Sequence, residues 1–160
     1  MTHVHWPHGH EPAGAAIHEV TTGSSLAPPE AVWAWLVRPD RWSDFYSNVS
    51  RVRHVGGPWP EVAMGSVFSW LTFNVPVTTE ITEYQRNEQL AWTGKGLGAR
   101  GHHAWVLTAR DDGGTDIHTE ETQHGALLEL LGVVLAPRMR RMHQLWVDNL
   151  ARTAERGAPQ

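Results

Sequence analysis

The stretch from His102 to Gly125, HHAWVLTARDDGGTDIHTEETQHG, constrains the fold more than any other part of the chain. Two alternating runs flank Asp111-Asp112-Gly113. A three-residue hairpin loop ending in Gly is a favoured connection, because Gly accepts the left-handed conformation that closes it. That register sets Arg110 against Gly114, Leu107 against Ile117, Trp105 against Thr119 and His103 against Glu121. Directly opposed side chains share a face. One face then carries His103, Trp105, Leu107, Ile117, Thr119, Glu121 and Gln123. A core face would be apolar throughout, and a solvent face would lack the Trp, Leu and Ile. The mixture predicts the wall of a lined cavity. A two-residue loop at Asp112-Gly113 is the competing register; it sets Trp105 against Glu120 and scrambles the face.

The remaining elements follow from periodicity and breakers. Residues 1–14 hold His3, His5, His8 and His10 with prolines and glycines, and read as a flexible, solvated tail. Ile17 to Ser25 is a first strand. Pro28-Pro29-Glu30 opens a helix that runs to about Val37 and stops before Pro39. A second short helix or turn covers Asp40 to Tyr46. Strands are predicted at Val49–Val55, Ser66–Asn74, Val77–Tyr84, Gln89–Gly94, His102–Arg110 and Thr115–Gln123, with polar and Gly-rich breakers between them. Ala126 to Glu155 is a long helix. Its stripe is Leu128, Leu131, Leu135, Met139, Met142, Trp146 and Leu150, and Pro137 should kink or divide it. Strands grouped apart from helices define an α+β architecture. A curved seven-stranded antiparallel sheet around one long helix leaves a mouth of the kind small folds use for ligands.

Composition narrows the class. With 160 residues, 41% apolar and 19% charged, one folded domain over residues 15–157 is the simplest organisation. A formal charge of -4 argues against nucleic acid as a partner. Cysteine is absent, which removes disulfides, thiol catalysis and zinc-thiolate sites. No apolar run approaches the ~18 residues of a membrane span, so stable membrane insertion is not expected. No cationic start with an apolar core marks a signal peptide, and the cytoplasm is the default expectation.

The residues also resemble a known family. The carriers are Ala27-Pro28-Pro29-Glu30-Ala31-Val32-Trp33, Pro39-Asp40-Arg41-Trp42 with Val49 downstream, and Ile81-Thr82-Glu83-Tyr84 followed by Leu90-Ala91-Trp92. His103-Ala104-Trp105-Val106-Leu107, Gly114-Thr115, Glu121 and Gly125 complete the set. From about Ala16 to Arg156 the chain resembles the START/Bet v 1-like (SRPBCC) superfamily, the helix-grip fold. It is most similar to the polyketide cyclase/dehydrase-like and lipid-transport branch. The resemblance implies a deep cavity under the long helix that takes apolar or aromatic small molecules, with the segment after the first helix at its mouth. Relatives often carry a histidine or an aromatic where this chain has Thr119 and Gln123. The family spans cyclases, transporters and sensors, so it implies no single reaction.

His103 with Glu121 is the sharpest chemical candidate. A carboxylate beside an imidazole fixes its tautomer and suits general acid–base work, such as an aldol cyclisation with dehydration. The same pair also suits a satisfied polar contact lining a binding cavity. No four-residue metal set is evident, so neither a metal nor another cofactor is expected. His102, His118 and His124 fall on the opposite parity and are expected to face solvent. Trp42, Phe45 and Tyr46 are candidates to gate or stack on a flat ligand. Ser69, Leu71 and Phe73 are assigned inward, and Phe68 and Trp70 outward as a possible contact for a partner chain. Ile81, Trp92, Trp105, Thr119 and Gln123 join the ligand-facing candidates, with Met139 and His143 from the helix. The reading is a module that binds or transports a hydrophobic, aromatic or polyketide-like molecule, as a monomer or homodimer. A cyclase and a quinone or lipid carrier are the alternatives.

Overall fold

Seven strands form one antiparallel sheet in the order β1-β7-β6-β5-β4-β3-β2 in the computed structural model, which describes residues 4–159. The strands are β1 (Ile17–Ser25), β2 (Val49–Gly56), β3 (Val67–Thr72), β4 (Val75–Gln85), β5 (Gln89–Gly96), β6 (Ala99–Ala109) and β7 (Thr115–His124). Helix α1 (Pro29–Leu36) and a 3-10 turn (Pro39–Asp44) carry the chain from β1 to the far edge of the sheet. Helix α2 (Ala126–Ala154) closes the fold and packs mainly against β1 and α1. It runs unbroken through Pro137, so the division considered from sequence does not occur. His3 of the amino-terminal segment and the Leu131 side chain of the helix stripe lie outside the described residues.

The β6–β7 register is the one the three-residue loop predicts. His103 pairs with Glu121, Trp105 with Thr119 and Leu107 with Ile117. Arg110 and Gly114 close the turn, and Gly113 sits at a φ of 86° that favours glycine there. The 3-10 turn buries Trp42 at the centre of the core. Its indole N–H donates to the Leu36 carbonyl, and its ring meets those of Phe68, Trp70, Trp92 and Trp146.

The assignment of β3 needs correcting. Phe68 and Trp70 are buried inward, whereas Ser69 pairs with Thr78 on the outer face and Leu71 shares its parity. The sequence predicts one strand from Ser66 to Asn74 with Ser69, Leu71 and Phe73 on its inward face. Phe73 and Asn74 are instead the two central residues of a tight β3–β4 turn, both with positive φ, so parity does not carry through Phe73. With Phe68 and Trp70 inside, the outward aromatic pair that suggested a partner surface does not exist.

The outer face also differs from expectation. Residues 4–11 lie against it rather than free in solvent, because alanines on β5 and β6 leave an apolar strip to cover. Val4 packs on Ala91 and Ala104, with Trp6 and Val106 beside them. Thr122 donates to the His10 carbonyl and Arg100 to the Gly9 carbonyl. His102, expected in solvent, is fully buried under Trp6 and His10, and His124 is nearly so. His118 is half-buried against Glu120.

Two predictions follow from this packing. A Cβ on Gly23 would stand 2.5 Å from Val147 Cγ1 of α2. Overpacking at such a contact costs about 1–3 kcal/mol, so Gly23→Ala should lose stability of that order in urea unfolding. The second concerns the amino-terminal segment. Desolvation, then Arg100 and His124, lower the His10 pKa below 6.5, with Lys95 adding to them and Glu11 opposing. His10 is therefore held neutral when folded, beside the ring of His102. Its contribution is complete above pH 6.5 and is lost as pH falls below that value. Amide exchange at residues 4–11, corrected for intrinsic rate, should accelerate between pH 7.5 and 5.5, and less so in His10→Gln. Equal protection at both pH values would refute this.

Candidate functional site

The space between α2 and the sheet holds a cavity of about 300 Å³. Its walls come from the inward residues of β3 to β7, the turns at Phe73 and Leu97, and one face of α2. Gly94, Gly96 and Gly101 contribute backbone rather than side chains to this part of the wall. One end of the space is plugged. Trp146 stacks on Tyr46 with centroids 4.5 Å apart and meets Trp105 edge-on. At the mouth, the Arg138 guanidinium lies 5.6 Å from the centroid of the Phe73 ring.

Polar groups gather on one part of the wall. His103 of β6 and Glu121 of β7 face each other because their strands pair in that register. His103 Nδ1 is 3.2 Å from Glu121 Oε2, and His143 Nε2 of α2 is 2.8 Å from the same oxygen. The Gln123 amide donates to the other oxygen of Glu121 at 2.6 Å. His103 Nε2 contacts the Thr119 hydroxyl at 2.7 Å, and that hydroxyl is 2.8 Å from the Ala104 carbonyl. A carbonyl only accepts, so the single hydroxyl proton of Thr119 goes to Ala104. Thr119 therefore accepts from His103, and the imidazole carries its hydrogen on Nε2.

Burial governs the charges. It pushes the His103 imidazole far below its ordinary value, against the pull of Glu121. Burial also opposes ionisation of Glu121, but the His103 and His143 rings, with hydrogen bonds from His143 and Gln123, hold its carboxyl below the usual range. A ring that burial keeps neutral is not the cation that holds Glu121 down. The direct hydrogen bonds from His143 and Gln123 are the sounder cause. Tyr46, also buried, is pushed well above the ordinary phenol value, mainly by desolvation.

Of the residues proposed from sequence, Tyr46, Phe73, Trp92, His103, Glu121, Gln123, Met139 and His143 line the cavity. Trp42, Ile81, Trp105 and Thr119 are buried in the core beside it rather than in its wall, and Phe45 packs on Trp35. Ser69 and Leu71 are turned away, for the reason of parity given above. The sequence reading missed Trp70, Thr79 and Trp146 as wall residues. Trp70 donates its indole N–H to Thr79, while the Trp146 indole N–H has no acceptor among the described residues. The spacing Met139, His143, Trp146 was the available signal, since residues four and three apart share a helix face.

Residues 18–155 match the family model described as polyketide cyclase/dehydrase and lipid transport. The chain belongs to that family. No curated protein sequence matches it. Among solved structures it is similar to a hypothetical protein of Helicobacter pylori, at 21% identity and a TM-score of 0.88, covering 96% of this chain and 97% of that one. It is also similar to the Zhui aromatase/cyclase of Streptomyces sp. R1128, at 15% identity and a TM-score of 0.70, covering 88% and 94%. A third is Ara h 8.0201, at 15% identity and a TM-score of 0.59, covering 84% and 97%. These likenesses are of fold: the seven-stranded sheet and long carboxy-terminal helix are the helix-grip arrangement of Bet v 1-like proteins. No helix among the described residues is long and apolar enough to cross a membrane.

The Thr119 relay can be tested. Thr119→Val keeps the shape but removes the acceptor of the buried Nε2–H, and a hydrogen left there unpaired would cost about 1–3 kcal/mol. The ring hydrogen should then move to Nδ1, where Glu121 accepts it. Ring nitrogen-15 shifts of His103 report the tautomer, and unchanged shifts in the variant would count against the relay.

Proposed function

We propose that the protein binds a hydrophobic, aromatic or polyketide-like small molecule in the cavity beneath α2. The supporting observation is the cavity itself: about 300 Å³, walled by Phe73, Trp70, Trp92, Met139 and Leu135, with a few convergent polar groups. Sites for small molecules have this character, with apolar walls and a small number of polar groups that set orientation. His103, Glu121 and Gln123 are those orienting groups. In this reading the protein acts as a binding or transport module. A monomer meets every need of the reading, and neither nucleic acid nor a membrane anchor enters it.

A second reading has its own support. His103 and Glu121 lie together in the wall, buried and joined through Oε2. Aldol cyclisation begins with removal of an activated proton, and the neutral imidazole of His103 and the ionised carboxylate of Glu121 both accept protons. The quinone or lipid carrier is the remaining alternative and is distinguished by what accompanies the protein on purification.

One set of measurements separates these readings. A naphthalene-type fluorescent probe should bind the wild-type protein and quench its tryptophans. Met139→Trp fills the cavity and should weaken that binding tenfold or more with an unchanged circular dichroism spectrum. Undiminished binding in Met139→Trp would refute the cavity as the site. Native mass spectrometry of fresh protein should show a bound lipid or quinone if it is a carrier. Cyclisation of a poly-β-ketone that is lost in His103→Ala would establish the enzyme instead. Full activity in both His103→Ala and Glu121→Gln would remove the acid–base pair.

A further inference from the structure

The hydrogen-bond chain at His103 leaves one contact unexplained. Nε2 carries the ring hydrogen, because Thr119 accepts there and passes its own proton to Ala104. A neutral imidazole has one N–H, so Nδ1 presents a lone pair. Yet Nδ1 faces Glu121 Oε2 at 3.2 Å. Two lone pairs held at that distance repel each other. His143 Nε2 approaches the same oxygen at 2.8 Å; with its hydrogen on Nε2 it bonds Glu121, and with the hydrogen on Nδ1 the same nitrogen offers a third ligand atom. A second proton on His103, the other tautomer with Thr119 turned to donate to Nε2, or a metal ion among the three atoms relieves the conflict. The second proton would create a cation on a ring that is only 4% exposed, which desolvation opposes, and the other tautomer gives up the Thr119 bond to the Ala104 carbonyl.

The spacing fits a metal ion. Imidazole nitrogen and carboxylate oxygen bind a divalent transition metal at about 2.1 Å, and at that length ligands stand about 3.4 Å apart in a tetrahedral site and about 3.0 Å apart in an octahedral one. The two contacts, 3.2 and 2.8 Å, lie about the octahedral spacing and a little inside the tetrahedral one. All three ligand atoms lie within 4.8 Å of one another. Thr119 fixes the His103 tautomer that frees Nδ1, and Gln123 holds the second oxygen of Glu121. Outer partners of this kind orient metal ligands and raise affinity. Two imidazoles and one carboxylate are a set used by divalent transition metals that keep open coordination positions. All three residues line the cavity.

We propose that His103 Nδ1, Glu121 Oε2 and His143 Nε2 form a three-ligand site for a divalent transition-metal ion, with its open coordination positions toward the cavity. The pattern was not legible in the hairpin alone, because the third ligand arrives from α2. The ion selects within the ligand class: a carbonyl, enolate or hydroxyl oxygen on the apolar molecule completes the coordination and is polarised by it. That selection rests on the small-molecule reading above; the metal site itself does not.

The test uses the full chain stripped of metal, titrated with Co²⁺ and with Zn²⁺. Equilibrium dialysis with elemental analysis counts the ions, and visible absorption reports the coordination of Co²⁺. One equivalent should bind with Co²⁺ d–d bands and a raised melting temperature. Glu121→Gln and His143→Gln should each weaken it tenfold or more with unchanged circular dichroism. The His5→Asn, His8→Asn double variant, which removes two of the four histidines of the amino-terminal segment, should keep it. Loss of all binding in that double variant, or an equivalent retained at full affinity in both Glu121→Gln and His143→Gln, overturns the proposal. If His143→Gln fails to fold, Glu121→Gln decides alone. A fluorescent probe that binds well to a protein taking up no metal overturns the site and leaves the small-molecule reading intact. Metal uptake with no apolar ligand does the reverse.

Discussion

The indole of Trp146 is the contact on which the arrangement turns. It stacks on Tyr46, meets Trp42 and Trp105 edge-on, and touches the His103 ring. Those partners come from the 3-10 turn and its sequel and from β6, so one side chain joins α2 to both layers. Aromatic pairs of this geometry contribute about 0.5–1.5 kcal/mol each beyond the area they bury. The cluster plugs one end of the space under the helix. The other end, walled by glycines and turn residues, stays open. Plug and cavity are thus two consequences of one helix position.

That position also sets the electrostatics. His143 stands one turn from Trp146, so anchoring the indole brings His143 Nε2 to within 2.8 Å of Glu121. A buried carboxylate is costly unless it is paired and hydrogen-bonded, and breaking such a pair costs more than the pair contributes. An apolar trio of similar volume would hold the sheet and helix together with less desolvation. The polar trio in the wall is therefore better explained by what the cavity must hold than by stability.

The hairpin was legible because turn chemistry and alternation agreed: Gly113 fixed the loop length, and loop length fixed the register. The strands were legible for the same reason in their number and their places along the chain. What escaped was set by contacts between distant segments. His143 reads as a boundary residue until the helix is placed over the sheet. Phe73 misled because a bulky residue with positive φ is rare, so a turn at Phe73-Asn74 carries no ordinary sequence signal. His102 and His124 did take the outer parity, but nothing local announces that residues 4–11 cover them.

The two halves of α2 meet different environments. Beyond Pro137 the helix buries Met139, Trp146, Val147, Leu150 and Ala151. Before it, Leu127, Leu130 and Val134 are 58%, 79% and 76% exposed, and Leu127, Leu128 and Leu135 line the cavity. Pro137 lacks the amide that would tie it to the preceding turn. Among the described residues the amino-terminal half thus has few buried side chains, and its link to the half beyond Pro137 is weakened. Local opening is easiest where buried contacts are fewest. In this molecule that region is the roof of the cavity, so the roof and the contacts that bury the core are carried by different turns of one helix.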